Sequence, residues 1–103
     1  MYYYNVLISD FMVNKLKLSG LDLLVYAALF RLYSTDMSLI THDYSGEMKV
    51  EYEYLTELTG CYAADVVHLC ANLAKKQLIN YRLDEEVILY KITDFDKYSK
   101  LLR

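Results

Sequence analysis

Residues 50–79 read VEYEYLTELTGCYAADVVHLCANLAKKQLI, and this stretch predicts two helices joined by a tight turn. Val50, Leu55 and Leu58 supply the apolar positions of a short first helix. Gly60 is expected to end that helix, because glycine readily adopts the left-handed conformation that commonly closes a helix. The stretch therefore predicts a helix-turn-helix.

The second helix is predicted to run from about Tyr62 to Lys76. Its apolar residues recur every three or four positions, which places them on one face of a helix with 3.6 residues per turn. These residues are Val66, Leu69, Cys70 and Leu73. Two apolar runs follow, residues 78–83 and 87–90, on either side of a turn of acidic residues. They predict an antiparallel hairpin, and residues 48–50 are expected to join its sheet as a short strand.

This succession resembles the winged helix-turn-helix of bacterial regulators and replication initiators. The residues that carry the resemblance are Leu55, Leu58, Thr59, Gly60, Val66, Leu73, Lys76, Leu78 and Ile79. The stretch LSGLDLLVYAALFRLY, residues 18–33, is similar to the first helix of DnaD-type and phage replisome-organiser N-terminal domains. The resemblance covers about residues 15–92. It implies an α+β winged-helix fold, with a three-helix core and a small antiparallel wing, and a role in replication initiation or transcription regulation.

The segments outside the helix-turn-helix are predicted as follows. Tyr2 to Ile8 is aromatic and β-branched, which favours an extra N-terminal strand. Ser19 and Asp22 form a capping-box-like start for a helix that ends near Tyr33. That helix is apolar on nearly all sides, so it must be buried on both faces. We expect one face to pack on the helix-turn-helix and the other to be covered by the N-terminal strand, the C-terminal segment or a second subunit.

The C-terminal and connecting segments complete the chain. Residues 94–103 predict a short amphipathic helix capped by Asp94, and residues 35–46 predict a loop. We expect His42 and Asp43 in that loop to be solvated rather than to form a metal or acid-base site.

Length and composition fit a single domain, residues 1–103. The chain has 103 residues, 55% of them apolar, and a formal net charge of −3. Its longest uncharged apolar run, residues 23–30, is far shorter than the roughly twenty residues of a membrane span. The N-terminus lacks the positive charge that precedes a secretory signal. We therefore expect a cytoplasmic protein that does not enter a membrane.

The sequence contains no recognisable catalytic motif. It has no phosphate-binding glycine loop, nucleophile elbow or zinc-ligand spacing. Cys61 and Cys70 would lie about 13 Å apart along one helix, too far for a disulfide, and we expect Cys70 to be a buried apolar residue. We expect no enzymatic activity, no cofactor and no bound metal.

Charge separates two binding functions. Residues 51–92 contain seven acidic and four basic residues, although phosphate binding requires cations. The resemblance implies nucleic-acid contacts by Tyr62, Ala64, His68, Asn72, Lys75, Lys76 and Arg82. The sequence departs from the family pattern at residues 62–65, which lack the usual polar cap and arginine, and at Gln77, where glycine is expected. A basic face made by Lys15, Lys17, Lys49 and the C-terminal lysines remains an alternative route to DNA.

Tyrosine favours protein contacts, because it is enriched at interfaces. The chain has 12 tyrosines, more than we expect a core of this size to bury. The partner-binding candidates are Tyr2, Tyr3, Tyr4, Tyr26 and Phe30. We predict a homo-oligomer, or a module that binds a replication or transcription protein at DNA. Direct, sequence-specific DNA binding is the alternative.

Overall fold

The computed structural model describes residues 2–3, 6–35 and 46–102, with side chains described for residues 8–34 and 46–101. Helices and a small three-stranded antiparallel sheet make up an α+β fold, as predicted. In chain order the elements are β1 (Tyr2–Tyr3), β2 (Val6–Leu7), α1 (Asp10–Asn14), α2 (Gly20–Thr35), β3 (Met48–Glu51), α3 (Tyr52–Thr59), α4 (Ala63–Lys75), β4 (Ile79–Asp84), β5 (Val87–Ile92) and α5 (Phe95–Ser99), followed by a 3-10 turn (Lys100–Leu102).

The larger sheet has the strand order β3-β5-β4, and both neighbouring pairs are antiparallel. The predicted hairpin is confirmed: Ile79 pairs with Ile92 at its open end, and Glu85 turns the chain at its tip with a φ of 56°. The predicted third strand is confirmed too, since β3 pairs with β5 through Met48 opposite Tyr90. The strand side chains that join the core are Met48, Val50, Ile79, Ile88, Tyr90 and Ile92.

Gly60 ends α3 in the left-handed conformation that the sequence predicts, with a φ of 75°. Its N–H donates to the carbonyl of Thr56 at 2.8 Å. The buried Thr59 hydroxyl donates to the carbonyl of Leu55 at 2.7 Å and accepts from the N–H of Cys61 at 3.3 Å. These bonds satisfy backbone groups in the turn, and a residue with a Cβ at position 60 would be strained.

The register of α4 agrees with its predicted apolar stripe. Its buried residues are Val66, Leu69, Cys70 and Leu73. The helix begins at Ala63, one residue after the predicted start. Val50, expected in the first helix of the motif, lies instead in β3 opposite Ile88. In the strand the Val50 side chain faces the core and is only 2% exposed, so the strand position buries it.

α2 is the buried centre of the fold. Every residue from Leu24 to Phe30 is buried, which confirms the prediction that the helix is buried on both sides. On one side it contacts α3 and α4. On the other it carries an aromatic cluster, formed by Phe11, Tyr26, Phe30, Tyr33, Tyr90, Phe95 and Tyr98. The chain itself therefore covers both sides of α2, and a second subunit is not needed for this.

The assignment of Tyr26 and Phe30 as partner-binding residues is corrected by their burial. Their exposed fractions are 0% and 1%. The Phe30 ring lies 5.4 Å from the Phe11 ring and 5.1 Å from the Phe95 ring, measured between centroids. α1 and the C-terminal segment α5 thus cover this face of α2, and the C-terminal segment is one of the three expected alternatives.

The single strand predicted from Tyr2 to Ile8 is wrong. The segment forms two short antiparallel strands, β1 and β2, with Tyr2 opposite Leu7. α1 follows, which the sequence pattern did not predict, and buries Phe11 and Met12.

The two predicted helix caps agree with the structure in position but not in their side-chain bonds. α2 begins at Gly20, directly after Ser19 as predicted, but the Asp22 carboxylate accepts from the Nζ atom of Lys76 at 3.3 Å instead of completing a capping box. Asp94 precedes α5 with a φ of 56°, and its side chain makes no capping hydrogen bond. The short C-terminal helix itself is confirmed as α5.

The loop predicted for residues 35–46 is described only at its ends. Thr35 ends α2 and Gly46 lies in a turn. His42 and Asp43 lie outside the described residues, so the expectation of a solvated pair stays a prediction.

Candidate nucleic-acid and partner interface

The outward side of α4 gathers most of the nucleic-acid candidates. Tyr62, directly before the helix, is 81% exposed. Ala64 and His68 are exposed, and Asn72 is half-buried. These three are spaced by four residues, which places them on one face, and Lys75 is exposed in the last turn. The predicted residues of α4 therefore do share a surface.

The two other cationic candidates are already paired within the chain. Lys76 contacts Asp22 at 3.3 Å, at the start of α2. Arg82 on β4 places both its Nε and Nη2 atoms 3.2 Å from an oxygen of Glu47. Exposed pairs of this kind contribute little to stability, but each carboxylate offsets the charge that a phosphate would require. Lys75 is the remaining α4 cation outside these pairs.

A groove of about 450 Å³ opens beside the start of α4, between the start of α3, the turn and the hairpin tip. Three carboxylates line it, those of Glu51, Glu53 and Glu86, and Tyr62 stands at its side. Its lining contains no Lys or Arg among the described residues. We name it the acidic groove. A neighbouring depression of about 300 Å³ is lined by Lys49, Glu51, Asp84, Glu85, Glu86 and Val87.

The lysines weighed as an alternative basic face are brought together only in part. Lys15 follows α1 and Lys97 lies on α5, and their Nζ atoms lie 5.8 and 5.5 Å from the centroid of the Tyr98 ring. Lys17 and Lys100, both exposed, belong to the same two segments. We name these four residues the lysine end. Lys49 is not part of it, because it lies on β3 beside the acidic depression at the hairpin tip.

Sequence reasoning missed the residue that organises the lysine end. The ring of Tyr98 stacks on that of Phe11, with centroids 5.5 Å apart and planes 17° from parallel. The amphipathic pattern of residues 94–103 places Tyr98 on the apolar face of the C-terminal helix. It does not show that this face packs on α1, because α1 itself was not predicted.

The N-terminal partner candidates remain predictions. Tyr2 and Tyr3 form β1, but their side chains are outside the description. Tyr4 lies outside the described residues altogether. Among the other tyrosines, Tyr54 and Tyr62 have large exposed side chains, so part of the predicted surplus does reach the surface.

The buried titratable groups belong to the core rather than to a reactive site. Cys61 and Cys70 are both free and buried, in agreement with the prediction that they do not pair. Burial raises the pKa of the Cys70 thiol to about 12, so it is protonated and a poor nucleophile at neutral pH. The Tyr90 hydroxyl donates to the carbonyl of Leu29 at 2.6 Å, and burial raises the pKa of Tyr90 well above 10.0.

Metal ligands do not cluster in the described part of the chain. There, no group of three or more His, Cys, Asp or Glu side chains could hold a metal ion. Within the same residues, none of the helices has the length and apolar character that crossing a membrane requires.

Comparison with known proteins gives one informative likeness. No family model matches the chain. No curated protein matches it either. A solved structure described as an "N-Terminal domain of DNA binding protein" is similar, with a TM-score of 0.52 and 21% sequence identity over 96% of this chain and 83% of that chain. At this identity the likeness concerns the fold.

Proposed function

We propose that the chain is a winged-helix module that acts at DNA by binding rather than by catalysis. Its main activity is self-association or the binding of a partner protein in replication initiation or transcription regulation. The order α2, α3, turn, α4, hairpin supports the winged-helix assignment, with α4 in the position of a recognition helix and β4–β5 as the wing. The similar fold of a protein described as DNA binding supports a role at DNA.

The acidic groove is the observation that carries the choice of protein over DNA at α4. A recognition helix meets DNA with its first turns and needs positive charge nearby to offset the phosphates. Here Glu51, Glu53 and Glu86 border those first turns, and Asp65 is exposed within them. The field at this face therefore repels a phosphate backbone and attracts cationic groups of a protein.

Tyr62 provides the contact area for such a partner. A side chain 81% exposed at the edge of a groove has most of its apolar ring area still to bury. Tyrosine is enriched among the residues that dominate interface energies. The proposal therefore makes Tyr62 the anchor and the surrounding carboxylates the source of specificity.

Direct reading of DNA by α4 is the second candidate. His68 is exposed on the helix, and Asn72 lies four residues further on the same face. An asparagine side chain can bind adenine through two hydrogen bonds in the major groove. In this case the partner is DNA itself, and Lys75 makes the phosphate contact.

Two measurements, each on its own set of variants, separate these candidates. Light scattering of the wild-type protein at micromolar concentration should give a mass above that of the monomer. Tyr62→Ala should reduce that mass, whereas Tyr54→Ala should not. Tyr54 is the matched control, because it is an exposed tyrosine, 44% exposed, on α3 that does not line the acidic groove.

The second measurement is the affinity of the protein for a labelled DNA duplex, titrated at several salt concentrations. Lys75→Ala combined with Lys76→Ala should leave its affinity weak and nearly unchanged, and Asp65→Lys should not create tight binding. A monomer at all concentrations would remove self-association from the proposal. Tight binding at physiological salt that is lost in Asn72→Ala or His68→Ala would establish the second candidate instead.

A further inference from the structure

The lysine end lies at the junction of two segments that are far apart in the sequence. Tyr98 is 9% exposed and stacks on Phe11, so α5 is fixed against α1. Lys15 and Lys97 approach the same ring from these two elements, each within 6 Å of its centroid. Contact between an ammonium group and an aromatic ring stabilises that position while leaving N–H donors free for an anion.

The charges of the lysine end are not neutralised by ion pairs in the described part of the chain. The salt bridges found there are those of Lys76 with Asp22 and of Arg82 with Glu47. Neither involves Lys15, Lys17, Lys97 or Lys100. The lysine end therefore differs from α4 and the hairpin, where two of the cations are paired and carboxylates surround the groove.

The acidic residues of the same segments are Asp10, Asp94 and Asp96, and all three are exposed. Asp96 acts on the neighbouring end of α2: burial raises the pKa of Tyr33, and the carboxylate of Asp96 raises it further. None of the three takes part in the salt bridges of the described residues. Within the described part of the chain, no salt bridge therefore occupies the four ammonium groups.

We propose that the lysine end binds the phosphate backbone of DNA without reading its sequence. The inference rests on the proposed role at DNA, and it adds a second surface to the protein-binding face at α4. Lys15 and Lys97 would each contact a phosphate, and Lys17 and Lys100 would strengthen the local positive field. The module would then hold DNA with α1 and α5 while the acidic groove receives a protein.

The test is the binding of a labelled duplex of arbitrary sequence, followed by fluorescence anisotropy over a range of salt concentrations. The main variant is Lys15→Gln with Lys97→Gln, which removes both charges and keeps a polar, unbranched side chain at each position. Its dissociation constant should rise about tenfold at low salt. The slope of log affinity against log salt should fall in magnitude by about 2, close to 1 for each lysine that no longer meets a phosphate.

The matched control is Lys49→Gln with Lys91→Gln. These lysines are exposed on β3 and β5, and the double change alters the net charge by the same amount. The control should change the dissociation constant by less than about twofold. Equal weakening in both double variants would overturn the proposal, because net charge rather than the lysine end would then govern binding.

Lys17→Gly is a second variant, and its effect on DNA binding can be read without a loss of core packing because Lys17 is exposed. Lys17 has a φ of 58°, a conformation that glycine tolerates better than lysine, so removing this charge should not lower the thermal midpoint. The dissociation constant should rise about threefold. An unchanged affinity for both Lys17→Gly and the Lys15/Lys97 variant would reject the lysine end as a DNA surface.

Three further results would also overturn the inference. These are no duplex binding by the wild-type protein at low salt, binding lost only in the Lys75/Lys76 variant, and equal lysine-dependent binding of a poly-glutamate peptide. The last result would identify an acidic protein segment as the ligand. The proposed protein-binding function is measured separately by the mass of Tyr62→Ala, so it can stand when the lysine end fails.

Discussion

The α4 side of the molecule, made of α3, α4 and the hairpin tip, differs from the α5 side, made of α1, α5 and the end of α2. The core on the α4 side is largely aliphatic, with Leu55, Val66 and Leu73 fully buried. The core on the α5 side is the aromatic cluster. The surfaces differ as well, since one bears the acidic groove and the other the lysine end.

This difference separates what holds the fold together from what the surface can bind. Both sides pack against the same helix, α2, and both satisfy the requirement that its apolar faces be buried. Packing leaves the outward residues free to differ in charge. Two helices joined by a tight turn can therefore carry an acidic surface, and a segment outside them can carry exposed lysines.

The largest expected effect comes from removing the centre of the aromatic cluster. Phe30→Ala should lower the free energy of unfolding by about 3–5 kcal/mol, because it leaves a large cavity between α2, α1 and α5. Urea denaturation measures this change. If Phe30 were instead a partner-binding residue, the variant would keep its stability and lose only its association.

Leu73→Ala tests the aliphatic side of the comparison. Leu73 is 0% exposed on the inner stripe of α4, and its truncation should cost about 2–5 kcal/mol in the same denaturation experiment. Leu83→Ala is the control, since Leu83 on β4 is 45% exposed and should cost only about 0.5 kcal/mol. A cost for Leu73→Ala no larger than that of the control would contradict the register of α4.

Alkaline pH should weaken the fold through Cys70, at the boundary between the two sides. Burial raises its pKa from 9.0 to about 12. Above pH 9 the thiol ionises in the unfolded chain but not in the folded protein, which favours unfolding. The stability that the protonated thiol contributes is therefore complete below pH 9 and is lost as the pH rises to about 12. The free energy of unfolding should fall by about 1.4 kcal/mol per pH unit from this group.

Denaturation series at several pH values, with Cys70→Ala beside the wild type, isolate that contribution. The variant should lose less stability than the wild type as the pH rises above 9.0, the unshifted pKa of the thiol. Parallel losses in the two proteins would show that Cys70 is not the group responsible. Buried tyrosines add their own decline at higher pH in both proteins, because burial raises the pKa values of Tyr26 and Tyr90 above 10.0.

The smallest expected effect comes from removing either of two buried tyrosine hydroxyls, that of Tyr26 on α2 or that of Tyr90, which contacts α2. Tyr90 donates to the carbonyl of Leu29, whereas the Tyr26 hydroxyl has no hydrogen-bond partner among the described residues. Tyr90→Phe should cost about 1 kcal/mol, and Tyr26→Phe should leave stability unchanged or raise it. Equal losses in the two variants would show that the Tyr26 hydroxyl is bonded in solution.

Local sequence was sufficient for the α4 side. The spacing of the apolar residues in α4 and the left-handed Gly60 depend on residues close together in the chain, so their outcome could be predicted. The hairpin followed from two apolar runs around a short turn. The candidates Ala64, His68 and Asn72 share a face for the same reason, because helical periodicity alone places them there.

The α5 side could not be predicted in this way. α1 is a five-residue helix, too short to show a clear period, and its contact with Tyr98 joins the two ends of the chain. The predicted partner residues Tyr26 and Phe30 proved to be core because this contact covers them. A pattern of apolar residues shows that a face must be buried, but it does not show by what.

The sequence by itself determined the helix-turn-helix, the hairpin and the acidic excess of residues 51–92, because periodicity, turn chemistry and charge are local properties. Only the tertiary structure decided which charges are neutralised and which converge. Lys76 meets Asp22 across 54 positions of the chain, and Lys15 and Lys97 meet at one ring. Such contacts depend on the packing of whole elements around α2, which no short stretch of sequence specifies.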